Sequence, residues 1–548
     1  MAISIAIIDD GINEKYFNTG PLRHNIEVTQ ELQVVDRCEY DSLSPSHGAV
    51  CAAVIKKYAS VDSISSVKIL NDYDRGLKTQ LVRALEWCIE NGIRLVNISL
   101  GTIDYRDYTE IKKAVNKAYK EGLIIVAACD NSDIVTYPAS LSNVIGVKCD
   151  KENRLKEGTF VYNSYAPDGV EITACGIHYI EEHTGSIKNT SNSNSYAAPF
   201  VTALVHNIMR DNPDITLEEI KETLRKKSLN YSDAFYYPSL YRNIDWVDSA
   251  IVFDLTEKGI NISDHHTGFD IKRIIDKSCL YYSYDAKSII DHIDENPEIF
   301  EVSDTVIVVE DETSTKRGHI NYQELVEYLN QRKLNLVYLS SNYNKEESET
   351  KGRSIGIKLW NPYVYNLYKS STTRNKGREV PIIAVWDYTG EDLFYVSNSL
   401  LDLFKGDGYF ALVTTDSCFG ILSGFEFTPL EDRWENTKAR IEYLADIYEP
   451  DILIYSIDMS NKDEEHFKYL DKYCDSDINI YIKEHNAIFD RIEQTVTKEI
   501  TVAVADSEYN GNEQMKEKTF NYSRSLSCIG GIYKHIQHLF YEYEAYAP

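Results

Sequence analysis

The first apolar segment constrains the fold more than any other feature of the chain. Ile3 to Ile8 is apolar except for Ser4, and it runs directly into Asp9. A strand without polar alternation is buried on both faces, which is typical of a parallel sheet covered by helices on both sides. Polar groups at the carboxyl end of such a strand lie where α/β proteins place their chemistry. The N-terminus therefore predicts an α/β domain with Asp9 at the edge of its sheet.

Alternating strands and helices continue to about residue 252. Two helical patterns end at glycines, Gly92 and Gly122, and Thr216 with Glu219 predicts a capping box. This alternation predicts right-handed crossovers and a parallel sheet with helices on both faces. The later strands are predicted at Val67–Leu70, Leu95–Leu100, Leu123–Ala128 and Asn143–Val147, and helices at Thr79–Asn91, Tyr108–Glu121 and Leu217–Lys226.

The second half predicts a further α/β region in two parts. A polar stretch without apolar periodicity, Ser370–Arg378, resembles a linker between them. We therefore divide the chain into residues 1–252, a small Rossmann-like domain at 260–372, and a third α/β domain at 379–548. Strands are predicted at Val306–Val309, Leu336–Leu339, Pro381–Trp386, Phe410–Thr414 and Asp451–Ser456, and a helix at Tyr322–Gln331.

Three segments far apart in the sequence carry an acid, a base and a nucleophile in the order Asp9, His47, Ser195. Asp9 ends the apolar strand, and His47 opens a run of small apolar residues. Ser195 is followed four positions later by Pro199, which is unusual inside a helix because proline has no N–H to donate. In their order and local pattern these segments resemble the subtilisin-like serine proteases (S8 family, subtilases).

The resemblance covers residues 1 to about 250 and implies a role for each residue. Asp9 would orient His47, and His47 would act first as general base and then as general acid. Ser195 would be the nucleophile, and its own N–H at a helix start would help to bind the oxyanion. Asn131, which follows a predicted strand, would supply the second oxyanion donor. The implied activity is that of a serine endopeptidase.

The resemblance also implies a substrate-binding wall. Ser99, Leu100 and Gly101 match the family strand that pairs with the substrate backbone and lines the P1 pocket. Thr136 matches the far end of that pocket. The loop from Asn131 to Tyr137 is short, and the preferred P1 residue stays open.

Two departures from the family pattern favour an alternative. Ser193-Asn194 replaces the usual Gly-Thr before the nucleophile, and Asp130 replaces a glycine before Asn131. If a glycine is needed there for its backbone angle or for room, Ser193 would narrow the cleft. The alternative function is then a catalytically impaired, subtilase-fold binding or regulatory protein.

Charge and cysteine content limit the partners. The 86 acidic against 57 basic residues give a net charge of −29, which argues against binding of nucleic acid or an anionic membrane surface. A peptide or protein substrate is the expected partner, and the oligomeric state stays open. The ten cysteines show no paired spacing, so we expect neither a disulfide framework nor a metal site, and no cofactor.

The N-terminus predicts a cytoplasmic protein. The first strand is predicted to begin at Ile3, so we expect neither a signal peptide nor a folding pro-domain, and no apolar run has membrane-spanning length. Many Ile, Lys, Asn and Tyr residues suit a bacterium with an AT-rich genome. The Asp264-His265-His266 segment is interpreted as solvated loop rather than half of a metal site.

The last domain has a fainter resemblance. The strand Pro381–Trp386 and the following Asp387-Tyr388-Thr389-Gly390 look like a P-loop that has lost its working residues, since only Gly390 remains of the glycines and the Lys-Ser/Thr pair. Similar proteins accompany subtilisin-like proteases in bacterial peptide maturation. This resemblance implies a modified-peptide precursor as substrate, cut at its leader. The lost residues argue against nucleotide hydrolysis and favour a plain α/β scaffold for this half, with a nucleotide-responsive regulator as the alternative.

Overall fold

The computed structural model divides the chain into two compact units, residues 1–248 and 249–548. None of the helices that the structure describes is both long and apolar enough to cross a bilayer. The residues described are 3–62, 64–71, 75–132, 134–233, 236–280, 285–301, 303–311, 320–340, 356–368, 380–431, 434–460, 476–484, 498–504, 519–522, 524 and 526–544.

The first unit is built on a nine-stranded sheet in the order β3-β2-β4-β1-β5-β6-β7-β9-β8. Its neighbouring strands are parallel except for β3 and β8, which lie antiparallel at the two edges. A separate hairpin, β10–β11, lies outside the sheet. The strands are β1 Ile5–Asp9, β2 Leu22–Val28, β3 Val34–Asp36, β4 Ile64–Lys68, β5 Leu95–Ile98, β6 Ile124–Ala128, β7 Ile145–Cys149, β8 Phe160–Tyr162, β9 Ile172–Ala174, β10 Tyr179–Glu181 and β11 Ile187–Asn189.

Five α-helices accompany this sheet. They are α1 His47–Tyr58, α2 Lys78–Glu90, α3 Tyr108–Lys120, α4 Asn194–Asp211 and α5 Leu217–Lys227. Ile5 and Ile7 of β1 pack in one apolar cluster with residues of α1, α4 and α5. Ala6 and Ile8, which alternate with them, are also completely buried, and α2 contacts β1 and β2. Burial of both faces of β1 confirms the predicted α/β class.

The second unit contains a five-stranded parallel sheet in the order β13-β12-β14-β15-β16. The first of its strands along the chain, β12, pairs within this unit. The sheet therefore begins before residue 260, the predicted start of the second domain. The elements of this part are β12 Ser249–Asp254, β13 Asp270–Asp276, α6 Ala286–Glu295, α7 Pro297–Phe300, β14 Thr305–Glu310, α8 Tyr322–Arg332, β15 Asn335–Ser340, β16 Leu359–Trp360 and α9 Val364–Tyr368.

A seven-stranded parallel sheet follows in the order β19-β18-β20-β17-β21-β22-β23. The predicted linker Ser370–Arg378 lies outside the described residues. The elements are β17 Ile382–Asp387, α10 Leu393–Gly406, β18 Ala411–Thr415, β19 Glu426–Phe427, α11 Trp434–Tyr448, β20 Ile452–Asp458, β21 Ile478–Glu484, β22 Lys498–Val504, β23 Thr519–Tyr522 and α12 Leu526–Glu544.

Truncation of Ile7 should destabilise the first unit strongly. Ile7 is 0% exposed in the core cluster, and removing three buried carbons typically costs about 2–5 kcal/mol through lost burial and the cavity left behind. We expect the thermal unfolding midpoint of the full chain to fall clearly in Ile7→Ala. Ile187→Ala is the matched control, because Ile187 is 73% exposed. Equal midpoints for the two variants would contradict the placement of β1.

Candidate active site

Asp9 is the last residue of β1 and is 1% exposed, so its carboxylate lies at the carboxyl edge of the sheet. The chain then turns at Gly11, whose φ is +99°. A Cβ at Gly11 would lie 2.5 Å from the Arg37 guanidinium. A side chain is strained at this backbone angle, so glycine is favoured where the chain turns directly after the strand that carries Asp9.

His47 is the first residue of α1. Ser46 is the N-cap, and its side chain accepts the N–H of Ala49. The Asp10 carboxylate accepts the N–H groups of His47, at 2.9 Å, and Gly48, at 2.8 Å. Carboxylates favour a helix N-terminus because its first N–H groups have no partner within the helix. Asp10 and Ser46 together therefore fix the backbone from which the His47 ring projects.

The His47 ring is hydrogen-bonded to Asp9. Nδ1 lies 2.8 Å from one Asp9 carboxylate oxygen and 3.0 Å from the other. Burial lowers the pKa of His47, but the neighbouring Cys51 and Asp9 side chains together raise it above its usual range. Burial also raises the pKa of the Cys51 thiol. Asp9 thus fixes the ring orientation and favours the imidazolium.

Ser195 lies in the first turn of α4, and Pro199 lies inside the same helix as predicted. Because Pro199 has no N–H, it leaves the Ser195 carbonyl without its helical partner. The Ser99 hydroxyl donates to this carbonyl at 3.0 Å instead. The Ser195 hydroxyl in turn donates to the Ser99 carbonyl at 3.3 Å. Within the described part of the chain it makes no hydrogen bond to His47.

The contacts of Cys51 show that Asp9, His47, Ser99 and the Ser195 carbonyl lie close together. Its Sγ lies 4.0 Å from an Asp9 carboxylate oxygen, 3.9 Å from His47 Nδ1, 3.5 Å from Ser99 Oγ and 3.7 Å from the Ser195 carbonyl. The ligating atoms of Asp9, His47 and Cys51 all lie within 4.8 Å of one another. A metal ion there would compete with the Asp9–His47 hydrogen bond for the same nitrogen and oxygens. The arrangement therefore fits acid–base chemistry.

Asn131 lies beside the start of α4. Its side-chain oxygen accepts the N–H of Asn194 at 3.3 Å, and its carbonyl accepts from Lys151. With the oxygen held at the helix start, the Asn131 amide NH₂ has no acceptor among the described residues. An exposed amide donor next to Ser195 is what an oxyanion site requires.

The predicted substrate wall leaves the carboxyl end of β5. Ser99 is buried, Leu100 is partly exposed and Gly101 is exposed. Thr136 is only 2% exposed, and its methyl carbon would lie 2.7 Å from a Cβ at Gly101. The next residues pair across this contact, because Thr102 and Tyr137 form an antiparallel bridge. Thr136 therefore backs the wall rather than facing solvent.

Neither departure from the family pattern strains the backbone. Ser193 has φ −143° and ψ 156°, an extended conformation open to any residue. Asp130 is not among the described residues with positive φ, and its carboxylate accepts the N–H of Ser132 in a local turn. A glycine is therefore not needed for its conformational freedom at either position.

Sequence reasoning missed two side chains that support Ser195. The Tyr196 ring lies 5.1 Å from the His47 ring. His178, which is 0% exposed, donates from Nε2 to the Tyr196 carbonyl at 3.1 Å, and its Nδ1 lies 2.9 Å from the Tyr58 hydroxyl oxygen. Their contacts join residues far apart in the chain, so local motifs carry no signal for them.

The predicted solvated loop at Asp264-His265-His266 is wrong for its first two residues. Asp264 and His265 are 7% and 6% exposed. Asp264 pairs with Arg524 at 3.1 Å, and His265 Nδ1 lies 3.0 Å from the Ser423 hydroxyl. The partners come from distant parts of the second unit, which the sequence does not show.

The first unit places an acid at a strand end beside a histidine, and a serine at a helix start, as the sequence resemblance predicts. Residues 1–269 match the subtilase family, Peptidase S8. The chain is 24% identical to subtilisin DY of Bacillus licheniformis over 258 residues, 44% of this chain and 89% of that protein. It is 27% identical to the minor extracellular protease Epr of Bacillus subtilis (strain 168) over 244 residues, 42% of this chain and 36% of that protein.

Residues 1–269 therefore form a subtilase domain, and the protein is a serine endopeptidase that hydrolyses peptide bonds. Among solved structures, the crystal structure of a lanthipeptide protease is also similar. It is 17% identical, covers 43% of this chain and 84% of its own, and has a TM-score of 0.33.

His178 should make the stability of the first unit pH-dependent. Burial lowers the pKa of His178 to about 4, below the usual 6.5, so the unfolded chain binds the proton first and stability falls as the pH drops from about 6.5 to about 4. The difference between these two pKa values corresponds to a loss of about 3 kcal/mol in the free energy of unfolding. We expect His178→Gln, which removes this titration, to lose less thermal stability than wild type between pH 7 and pH 4.5. His183→Gln replaces an exposed histidine and should follow the wild-type curve; parallel curves for all three proteins would contradict the prediction.

Proposed function

We propose that Asp9, His47 and Ser195 act together as the catalytic triad of this endopeptidase. The observation that carries the proposal is the 2.8 Å contact between Asp9 and His47 Nδ1. In the neutral ring this contact places the proton on Nδ1, and the Nε2 lone pair is then free to accept a proton. The side chain of His47 is 29% exposed, so substrate can approach it from the solvent side.

Ser195 needs one small movement before it can react. Its hydroxyl donates to the Ser99 carbonyl, and rotation about the Cα–Cβ bond would turn it towards His47. The proposed substrate wall gives a reason for that rotation. A substrate N–H paired with the Ser99 carbonyl would replace the hydroxyl there and release it towards Nε2.

The reaction then follows from the positions of the donors and acceptors. Ser195 Oγ attacks the peptide carbonyl while its proton passes to His47, and the oxyanion accepts the N–H of Ser195 and the amide of Asn131. His47 returns the proton to the leaving amine as the C–N bond breaks. A water molecule then hydrolyses the acyl-enzyme by the same route. Removal of the Asn131 donor would slow the reaction about 10²–10³-fold.

The proposed substrate is a ribosomally made peptide precursor, cut at its leader inside a bacterial cell. Two features support this choice. The net charge of −29 favours neutral or basic peptides through long-range attraction. The P-loop-like pattern after β17 is similar to proteins that accompany subtilisin-like proteases in peptide maturation. Leu100 and Gly101 would line the pocket for the residue before the cut, with Thr136 behind them.

A fluorophosphonate probe tests the triad without knowledge of the substrate. We expect intact wild-type protein to be labelled at Ser195 and Ser195→Ala to remain unlabelled. Ser193→Ala is the matched control, because Ser193 precedes the same helix and its side chain makes no capping hydrogen bond; it should label at a rate close to wild type. Absence of labelling in folded wild-type protein would favour the alternative, a subtilase-fold binding protein.

A precursor peptide tests the substrate class separately. We expect wild-type protein to cut a short peptide encoded beside its gene once, between leader and core, and Ser195→Ala to leave it intact, as read by mass spectrometry. Unstructured casein serves as the control substrate and should be cut more slowly. Casein cleavage as fast as precursor cleavage would contradict a dedicated processing role while leaving the triad in place.

A further inference from the structure

Asn194 lies next to the proposed nucleophile and is 0% exposed. A buried amide requires partners for its oxygen and for both N–H groups. The structure supplies all of them. The side-chain oxygen accepts the N–H of Cys149 at 2.7 Å. The side-chain nitrogen lies 2.8 Å from the Asp130 carbonyl and 3.1 Å from the Cys129 carbonyl.

These bonds join three separate elements at one point. Asn194 opens α4, Cys129 and Asp130 follow β6, and Cys149 ends β7. The backbone N–H of Asn194 also donates to the Asn131 side-chain oxygen. One residue therefore connects the helix that carries Ser195 to the loop that carries Asn131.

These contacts depend on one of the two departures from the family pattern. Asn194 stands where the family has threonine, and Asp130 stands where it has glycine. The Asn194 side chain bonds to the backbone carbonyl of Asp130, which a glycine would also offer, so this contact depends on Asn194 alone. A threonine has a single hydroxyl donor and is shorter, so it lacks the second N–H with which Asn194 holds adjacent carbonyls.

We infer that Asn194 is a positioning residue that sets the distance between Ser195 and the Asn131 amide, and so completes the oxyanion site. The inference rests on the proposed function of Asn131 and Ser195. Asn194 itself does not touch the substrate, because it is buried and its side chain is bonded entirely to the neighbouring strands. Its effect on the reaction passes through Asn131.

A double-mutant cycle on the full chain separates an effect of Asn194 on the position of Asn131 from a general effect of Asn194 on the stability of the fold. The measured quantity is the rate constant of fluorophosphonate labelling, because the phosphoryl oxygen of the adduct accepts hydrogen bonds from the oxyanion site. We expect Asn131→Ala to slow labelling about 10²–10³-fold and Asn194→Ala to slow it at least tenfold. In the Asn131→Ala background, Asn194→Ala should add less than a threefold loss.

Asn116→Ala is the matched control. Asn116 is another buried asparagine, and its amide donates to the Asp245 carbonyl at 2.9 Å. It should lower the thermal midpoint as Asn194→Ala does, yet leave labelling within twofold of wild type in both backgrounds. Should Asn194→Ala not fold, Asn194→Thr takes its place in the cycle. An Asn194 effect of equal size with and without Asn131 would overturn the inference.

Hydrogen exchange gives a readout that does not depend on activity. We expect the amides of residues 129–132 to exchange faster in Asn194→Ala than in wild type, and to be unchanged in Asn116→Ala. Unchanged exchange in both variants would also overturn the inference. Failure of wild-type protein to label at Ser195 while exchange responds as expected would instead count against the proposed function.

Discussion

The hydrogen bond at the Ser195 carbonyl joins helix α4 to the end of strand β5, and the arrangement of the site depends on it. Pro199 denies this carbonyl a helical hydrogen bond, and a buried carbonyl without a partner would cost about 1–3 kcal/mol. Ser99 supplies the missing donor at 3.0 Å. The Ser99 hydroxyl is itself held by the Asn97 amide, and Asn97 accepts from the Thr202 hydroxyl. This closed set of bonds fixes α4 to β5.

That connection matters because β1 and β5 are adjacent parallel strands. Their carboxyl ends lie at the same edge, so Asp9 and Ser99 leave the sheet side by side. Once α4 is bonded to Ser99, Ser195 has a fixed place relative to Asp9. His47 is brought to Asp9 by α1, whose start is held by the Asp10 carboxylate. The site depends on one strand pair and the starts of two helices.

The sequence predicts those parts of the fold and site that have a local pattern. β1 is predicted because a strand buried on both faces shows no alternation of apolar and polar residues. The segments around Asp9, His47 and Ser195 are recognised because the residues next to each of them in the sequence match the family pattern. Contacts across the chain have no such pattern. The bond from the Asn194 side chain to the backbone carbonyl of Asp130, for example, becomes visible only when α4 lies beside β6. The early start of the second sheet at β12 was missed for the same reason, since its pairing partners lie far along the chain.

The loop after β17 in the second unit has the strand–loop–helix arrangement of a P-loop, but a carboxylate of the protein occupies the start of its helix. The Asp387 carboxylate, 0% exposed, accepts the N–H groups of Thr389, Asp392 and Leu393 at the start of α10. Such N–H groups are the ones that cradle an anion at a helix N-terminus. An incoming phosphate would have to displace a carboxylate that already satisfies them. The geometry therefore favours a structural role for this loop, in which an internal acid holds the helix start and no external anion is needed.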